Sequence, residues 1–398
     1  MSTKSFPRIS IITPSYNQGQ YLEDTIRSVI SQGYPNLEYI IIDGGSCDDS
    51  VSIIKKYDNF ITYWISEPDR GQTHAINKGL QRATGEIIAW INSDDQYCPG
   101  AFSTVAQYFT DHPDIGMLFG DLEVIDSEGK LTYCKKHKSI TLNALLLGRS
   151  IPQPSTFFKK SVIQDVGLLD ESLHYTMDYD LWIRIFSKYS MNHIPSFRGR
   201  FRIHSESKTV SQSIFFHIDI ISTLHKLLQS ERFSDAKKDV ICQLCEHYIH
   251  LLVYLKNNRD PSDKSASVIA SYVKENTYAI QDIEDLVNYI YDSKENGYDM
   301  VKIQTFLKEH FNRYTPKNQK LNFEMDLQKK FATLVFRIPR IFLVYDRKMT
   351  KTIFKKFIRM DYRFLFNINF YILLYRLYCP QKAHNFIKPY LDSFLYTM

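Results

Sequence analysis

Residues 85–97 read GEIIAWINSDDQY. The apolar run at 87–91 stops abruptly at Asn92-Ser93-Asp94-Asp95. A short continuous apolar run closed by turn formers predicts a strand buried on both faces, the kind that parallel sheets contain. Two adjacent carboxylates at such a strand end must be solvated, cap a turn, or hold a cation. By itself the pair favours a solvated turn or a cap, because a helical run, PGAFSTVAQYFTDHP (99–113), soon follows.

The surroundings reverse that preference. Upstream, three more strand-like runs each lead into a helical one: PRISIITPSY (7–16) into GQYLEDTIRSVISQ (19–32), LEYIIIDGGS (37–46) into DDSVSIIKKY (48–57), and ITYWISEPD (61–69) into GQTHAINKGLQRA (71–83). Leu22, Ile26, Val29 and Ile30 have helical spacing, and the helix predicted over 48–57 has an acidic first turn at Asp48 and Asp49. Four strand–helix units predict a parallel sheet covered on both faces, with the strand C-termini lining a ligand crevice. One rim then carries Thr13 to Asn17, Asp43 to Ser46, Glu67 to Arg70, and Asn92 to Asp95.

Downstream the pattern is mixed. MLFGDLEVID (117–126) and KLTYCKKH (130–137) predict a hairpin around Ser127-Glu128-Gly129. QPSTFFKK (153–160) predicts a short strand before a helix, MDYDLWIRIFSKY (177–189) an amphipathic helix, and HIPSFRGRFRIH (193–204) a strand. Beyond Ser211 Gly and Pro thin out, predicting a helical array over 211–328 with an exposed loop at NNRDPSDKSAS (257–267).

The 398 residues suit two domains, or one with a sizeable extension, and 44% apolar with 14% aromatic residues argues against disorder. The start is polar and no run approaches the roughly 18 apolar residues of a membrane span, which predicts a cytoplasmic protein. Six scattered cysteines predict no disulfide framework. CQLCEHYIH (242–250) has no second pair at finger spacing, and Cys245 shares an apolar stripe with Leu244, Tyr248 and Leu252, so a packed helix is preferred to a zinc site.

Residues 329–398 hold 14 Lys/Arg against 3 Asp/Glu, so against +5 for the chain the rest carries −6. The body is therefore not a nucleic-acid binder by charge. The tail mixes basic residues with Phe, Ile, Leu and Tyr, a composition suited to helices on an anionic membrane surface, or to packed helices with a basic outer face.

The motifs ITPSYNQGQYLEDTIRSVISQ, EYIIIDGGSCDDS, SEPDRGQTHAINKGLQRATGEIIAWINSDDQY, MDYDLWIR and FRIHSESKT occur in that order. Together they resemble the family 2 glycosyltransferases over about residues 7–210. The resemblance implies an α/β, GT-A nucleotide-sugar-binding fold with a mostly parallel central sheet (1–210), followed by the α-helical region (211–328) and the tail (329–398). It implies an inverting, metal-dependent transfer from a nucleotide-diphosphate sugar to an acceptor hydroxyl, on a growing lipid-linked or surface glycan. A peripheral place at the inner face of the cell membrane would follow.

The chemistry agrees with the roles so implied. The departing diphosphate concentrates negative charge, which a Mn2+ or Mg2+ ion on the hard oxygens of Asp94 and Asp95 would meet. By resemblance His204 is a further metal ligand and Asp94 also touches the donor; an ordinary strand-end histidine is the plainer reading of His204. Asp43 is implied to read the base, flanked by Pro14, Tyr16 and Asn17, although Pro, Asn and Asp-Gly are all turn formers. Arg70 is placed to offer a planar fork to the diphosphate, or is simply an exposed arginine. Asp178 is the candidate base that takes the acceptor's proton; an acid in a first helical turn also stabilises the helix. The family carries Glu-Asp here and this chain Met177-Asp178, which leaves the acceptor contacts nearby in doubt. Asp180 and Gln153 are expected on the acceptor side.

Two departures, Asn92 and Met177, leave room for a nucleotide-sugar-binding protein with impaired catalysis. A dinucleotide-dependent oxidoreductase should carry G-x-G-x-x-G after the first strand, which TPSYNQGQ lacks. A scaffold built around the helical tail would leave the strand-end residues unexplained.

Overall fold

The computed structural model describes residues 6–258 and 264–275, so the tail and its two readings lie outside the described residues. Two compact units divide between Ser211 and Gln212. In the first, β1 (Ile9–Ser15), α1 (Gly19–Ile30), β2 (Leu37–Asp43), α2 (Ser50–Lys56), β3 (Tyr63–Ser66), α3 (Gln72–Arg82), β4 (Ile87–Trp90), β5 (Gln96–Tyr97) and α4 (Ala101–Asp111) come in order. They are followed by β6 (Ile115–Ile125), β7 (Leu131–Lys135), α5 (Leu142–Leu146), β8 (Thr156–Lys159), α6 (Lys160–Val166), α7 (Met177–Phe186), β9 (Ser190–Arg202) and α8 (Lys208–Ser211).

One sheet runs β3-β2-β1-β4-β8-β6-β9-β5, with β7 paired to β6. The first four strands are parallel, and Ser15, Asp43 and Ser66 sit side by side at their ends. From β8 onward antiparallel pairs appear, so the expected parallel sheet is one half of a mixed one. Ile9, Ile11, Leu22, Ile26, Val29, Ile41, Phe102 and Phe157 share its core. Each contributes about 1.5–3 kcal/mol by burial. A Cβ on Gly79 would stand 2.4 Å from the Ile12 side chain, so this glycine lets α3 lie directly on β1.

Three local expectations are corrected. The strand in GEIIAWINSDD ends at Trp90, because the Asp95 N–H turns back onto the Asn92 carbonyl at 3.1 Å. The two-residue β5 that follows was not expected; it pairs with Arg200 and Gly199 of β9. Asp48 and Asp49 precede α2 instead of filling its first turn, and Asp48 accepts from the N–H groups of Ser50 (3.0 Å) and Gly19 (2.8 Å).

The second unit contains α9 (Phe215–Gln229), α10 (Lys237–Asn257) and α11 (Lys264–Glu275), packed through Ile221, Leu224, Leu244, Tyr248 and Ile269. The CQLCEHYIH stretch lies within α10. Among the described residues no helix is long and apolar enough to cross a membrane.

Candidate active site

The ends of β1 and β2 are tied by a local turn. Asp43 is fully buried, and its Oδ2 accepts from the N–H groups of Gly45 (3.1 Å) and Ser46 (2.9 Å) and from the Ser66 hydroxyl (2.7 Å). Its Oδ1 accepts from the Ser46 hydroxyl at 2.6 Å. Gly45 takes φ +83°, where a side chain would be strained. Asn17, at φ +50°, donates its N–H to Ser46 Oγ and accepts the Cys47 N–H at 2.9 Å. Tyr16 is 61% exposed on this rim. Pro14 is buried inside β1 opposite Ile42, where it shapes the strand.

The turn after β4 is held by residues from far along the chain. Asp94 Oδ2 stands 3.1 Å from His204 Nε2, just beyond β9. Asp95 is 1% exposed; its Oδ1 accepts the Arg202 N–H (3.0 Å), its Oδ2 the Asn92 amide (3.2 Å), and its carbonyl the Thr25 hydroxyl (2.7 Å). Burial, and then the charge of Asp94, push the Asp95 pKa well above the usual carboxylate range. Neither acid caps α4, whose N-cap is Gly100 in a left-handed conformation.

Arg202 is the residue the sequence reading missed. At 1% exposure it donates to the carbonyls of Asp94 (2.9 Å) and Ser127 (3.0 Å) and to Asp24 Oδ2 (3.0 Å). Its guanidinium lies 4.8 Å from the Tyr21 ring centre, and Tyr21 in turn packs against His204 at 4.7 Å. A charged residue two positions before His204 in an alternating strand was the available signal.

Asn92 is a neutral hub. Its Oδ1 accepts the Gln72 amide at 2.7 Å, while its Nδ2 donates to Asp95 and, at 3.3 Å, to Gln153. Gln153 donates to the Trp90 carbonyl (2.7 Å), and Lys208 donates to Gln72 (2.9 Å) and to the His174 carbonyl (3.1 Å). Gln153 is therefore beside the acidic turn. Gln72 and Lys208 join it without having been anticipated.

Trp182 of α7 stacks on Trp90 at 5.3 Å and 16°, docking the helix on the end of β4. Asp178 lies one turn earlier on the same helix face. It keeps part of its surface open to water, yet burial pushes its pKa up to about 6, opposed by the Tyr179 N–H at 2.8 Å. Asp180 is buried and accepts Arg184 Nε at 2.8 Å, and Arg184 in turn grips the carbonyls of Val166 and Leu168. Arg70 is paired with Glu171 at 2.5 Å on an exposed surface, joining the loop after β3 to residues near α7. That hydrogen bond holds the Glu171 pKa below its ordinary value.

Among the described residues no three His, Cys, Asp or Glu side chains gather as a ready metal cage. The donor set nonetheless fits a hard cation shared with a ligand. Asp94 and His204 converge, and His204 Nδ1 is buried without a hydrogen-bond partner among the described residues.

The profile described as "Glycosyl transferase family 2" matches residues 10–163. This segment is a family 2 glycosyltransferase domain. An uncharacterized glycosyltransferase of Rickettsia prowazekii is 29% identical over 268 residues, 63% of this chain and 81% of that protein. A Rickettsia conorii glycosyltransferase is 30% identical over 56% of this chain, which spans only 39% of its length. A Campylobacter jejuni GalNAc(5)-diNAcBac-PP-undecaprenol beta-1,3-glucosyltransferase is 26% identical over 62% of this chain and 82% of its own. Residues 1–349 of S. aureus TarS, solved with UDP-GlcNAc, superpose with a TM-score of 0.52 at 15% identity, covering 77% of this chain and 92% of that one. The glycosyltransferase domain thus has the GT-A fold.

Proposed function

We propose that the chain is an inverting, metal-assisted glycosyltransferase that moves a sugar from a nucleotide-diphosphate donor to a hydroxyl of a lipid-linked or surface glycan. The observation that carries this is the Asp94–His204 pair, 3.1 Å apart, at the strand end on which the Asp178 helix docks. Asp94 and His204, backed by Asp95, would hold Mn2+ or Mg2+, which supplies positive charge to the leaving diphosphate when bound. Asp178, ionised above about pH 6, accepts the acceptor's proton as its oxygen attacks the anomeric carbon. The β1–β2 turn organised by Asp43 offers a rigid seat for the base, with Tyr16 exposed beside it. Arg70 would have to leave Glu171 to meet a diphosphate, a small cost for an exposed pair.

The undecaprenol-diphosphate glycan named for the C. jejuni relative supports a lipid-linked acceptor, and the UDP-GlcNAc held by TarS a UDP-sugar donor. The basic, aromatic tail supports a place at the cytoplasmic face of an anionic membrane. Asn92 and Met177 remain the departures on which a nucleotide-sugar-binding protein with impaired catalysis would rest, and the donor-hydrolysis screen below separates the two readings.

The test is a screen of UDP-, GDP- and dTDP-sugars for Mn2+-dependent donor hydrolysis and transfer, with parent and Asp94→Ala. Turnover in the parent alone is expected. Undiminished turnover by Asp94→Ala, or by the parent stripped of metal, overturns the metal assignment.

A further inference from the structure

Residues 129–164 contain no Asp or Glu, yet hold Lys130, Lys135, Lys136, Lys138, Arg149, Lys159 and Lys160. The first four crowd on and around β7, which among the described residues pairs with β6 alone. Every residue of β7 but the last is exposed. Leu131 (51%) and Tyr133 (41%) are both exposed, on either side of a register shift that sets them opposite the successive residues Ile125 and Val124, and Tyr133 alternates with Lys135. Lysines alone would serve to keep an edge strand from pairing with another chain. An exposed leucine and tyrosine on the same strand do the reverse, raising its attraction to other apolar matter.

We infer that β7 and the loop after it form a docking surface for an anionic lipid bilayer. Charge complementarity selects this occupant: four lysines within nine residues is a density that attracts acidic head groups, and Leu131 with Tyr133 can enter the head-group boundary. The segment is anchored, since the His137 N–H donates to the buried Asp121 carboxylate at 2.9 Å, which also holds His193 at 2.7 Å. Its position is informative. Leu131 pairs with Ile125, and Ile125 with Arg202, whose N–H holds Asp95. Two strand spacings, on the order of 10 Å, thus separate the surface from Arg202, and the acidic turn lies one hydrogen bond farther. An acceptor anchored in that bilayer would be presented beside the chemistry. The surface stands without the glycosyltransferase reading, and differs from any contribution of the 329–398 tail.

Co-sedimentation of the full chain with phosphatidylglycerol-containing and pure phosphatidylcholine vesicles tests it. Binding to the anionic vesicles is expected. A triple variant, Lys130→Gln, Lys136→Gln and Lys138→Gln, should weaken it about tenfold or more. Leu131→Ser with Tyr133→Ser should weaken it several-fold even at salt that screens the lysines. Unchanged thermal midpoints and donor hydrolysis in solution identify folded variants whose site is intact. Binding by the triple variant within about twofold of the parent overturns the inference. So does equal binding to phosphatidylcholine, or capture by heparin, with the same loss in the lysine variant, but by no vesicle.

Discussion

Asp43 and Asp95 are both buried carboxylates near the ends of β2 and β4, the strands that flank β1, and they are held in opposite ways. Asp43 receives donors from Gly45, Ser46 and Ser66, all within 23 residues, and completes a turn that the local chain builds for itself. Asp95 receives Asn92 and a backbone N–H from Arg202, 107 positions away, and shares its surroundings with the charge of Asp94. The proposed nucleotide end of the crevice is therefore self-supporting. The proposed cation end exists only when β9 is in place against β5 and β6.

The comparison loses its meaning if no chemistry occurs between these ends, so Asp178 gives the most severe test. Asp178→Asn should lower transfer about 10³-fold while leaving donor affinity in place. The parent's rate should fall as pH drops through about 6, where the carboxylate takes up its proton. The sign for stability is the reverse. A carboxyl whose folded pKa is raised opposes folding above that pKa, so the variant should gain about 1 kcal/mol at neutral pH, read as a Tm rise of a few degrees.

Next in size is Arg202→Met. Removing this buried charge leaves Asp24 and the carbonyls of Asp94 and Ser127 unpaired, and should cost roughly 3–5 kcal/mol in urea unfolding. Its donor KM should rise as well, since the acidic turn loses its brace; an unchanged KM would show that the cation end is not assembled by β9. Asn92→Asp tests the neutral hub. A carboxylate 3.2 Å from Asp95 Oδ2 repels it, for an expected loss of about 2 kcal/mol by denaturation. The smallest effect belongs to the self-supporting end. Ser66→Ala removes one of several donors on Asp43 and should cost about 1 kcal/mol, with donor KM changed less than in Arg202→Met.

The same contrast explains what the sequence disclosed. Helical spacing at Leu22, Ile26 and Val29, and the buried runs of β1, β2 and β4, follow from patterns shorter than twenty residues, and they predicted the four units and their common rim. Asp43 was readable as a turn residue for that reason. The jobs of Asn92, Gln72, Arg202 and Asp180 were not, because each is decided by a partner brought close only in the folded chain, or by an arginine one turn on. The two-residue β5 was invisible for the same cause, its only strand partner among the described residues being β9.

The stacked indoles of Trp90 and Trp182 carry a practical consequence. The chain has three tryptophans, and two of them lie face to face at 5.3 Å where α7 meets the end of β4. The third, Trp64, is on strand β3, hydrogen-bonded through its indole N–H to Asp58 at 2.6 Å. Coupled indole transitions give an ultraviolet circular dichroism signal that depends on their mutual angle. Any tilt of the Asp178 helix on ligand binding would change it, so the molecule has its own optical gauge of the helix that bears the candidate base.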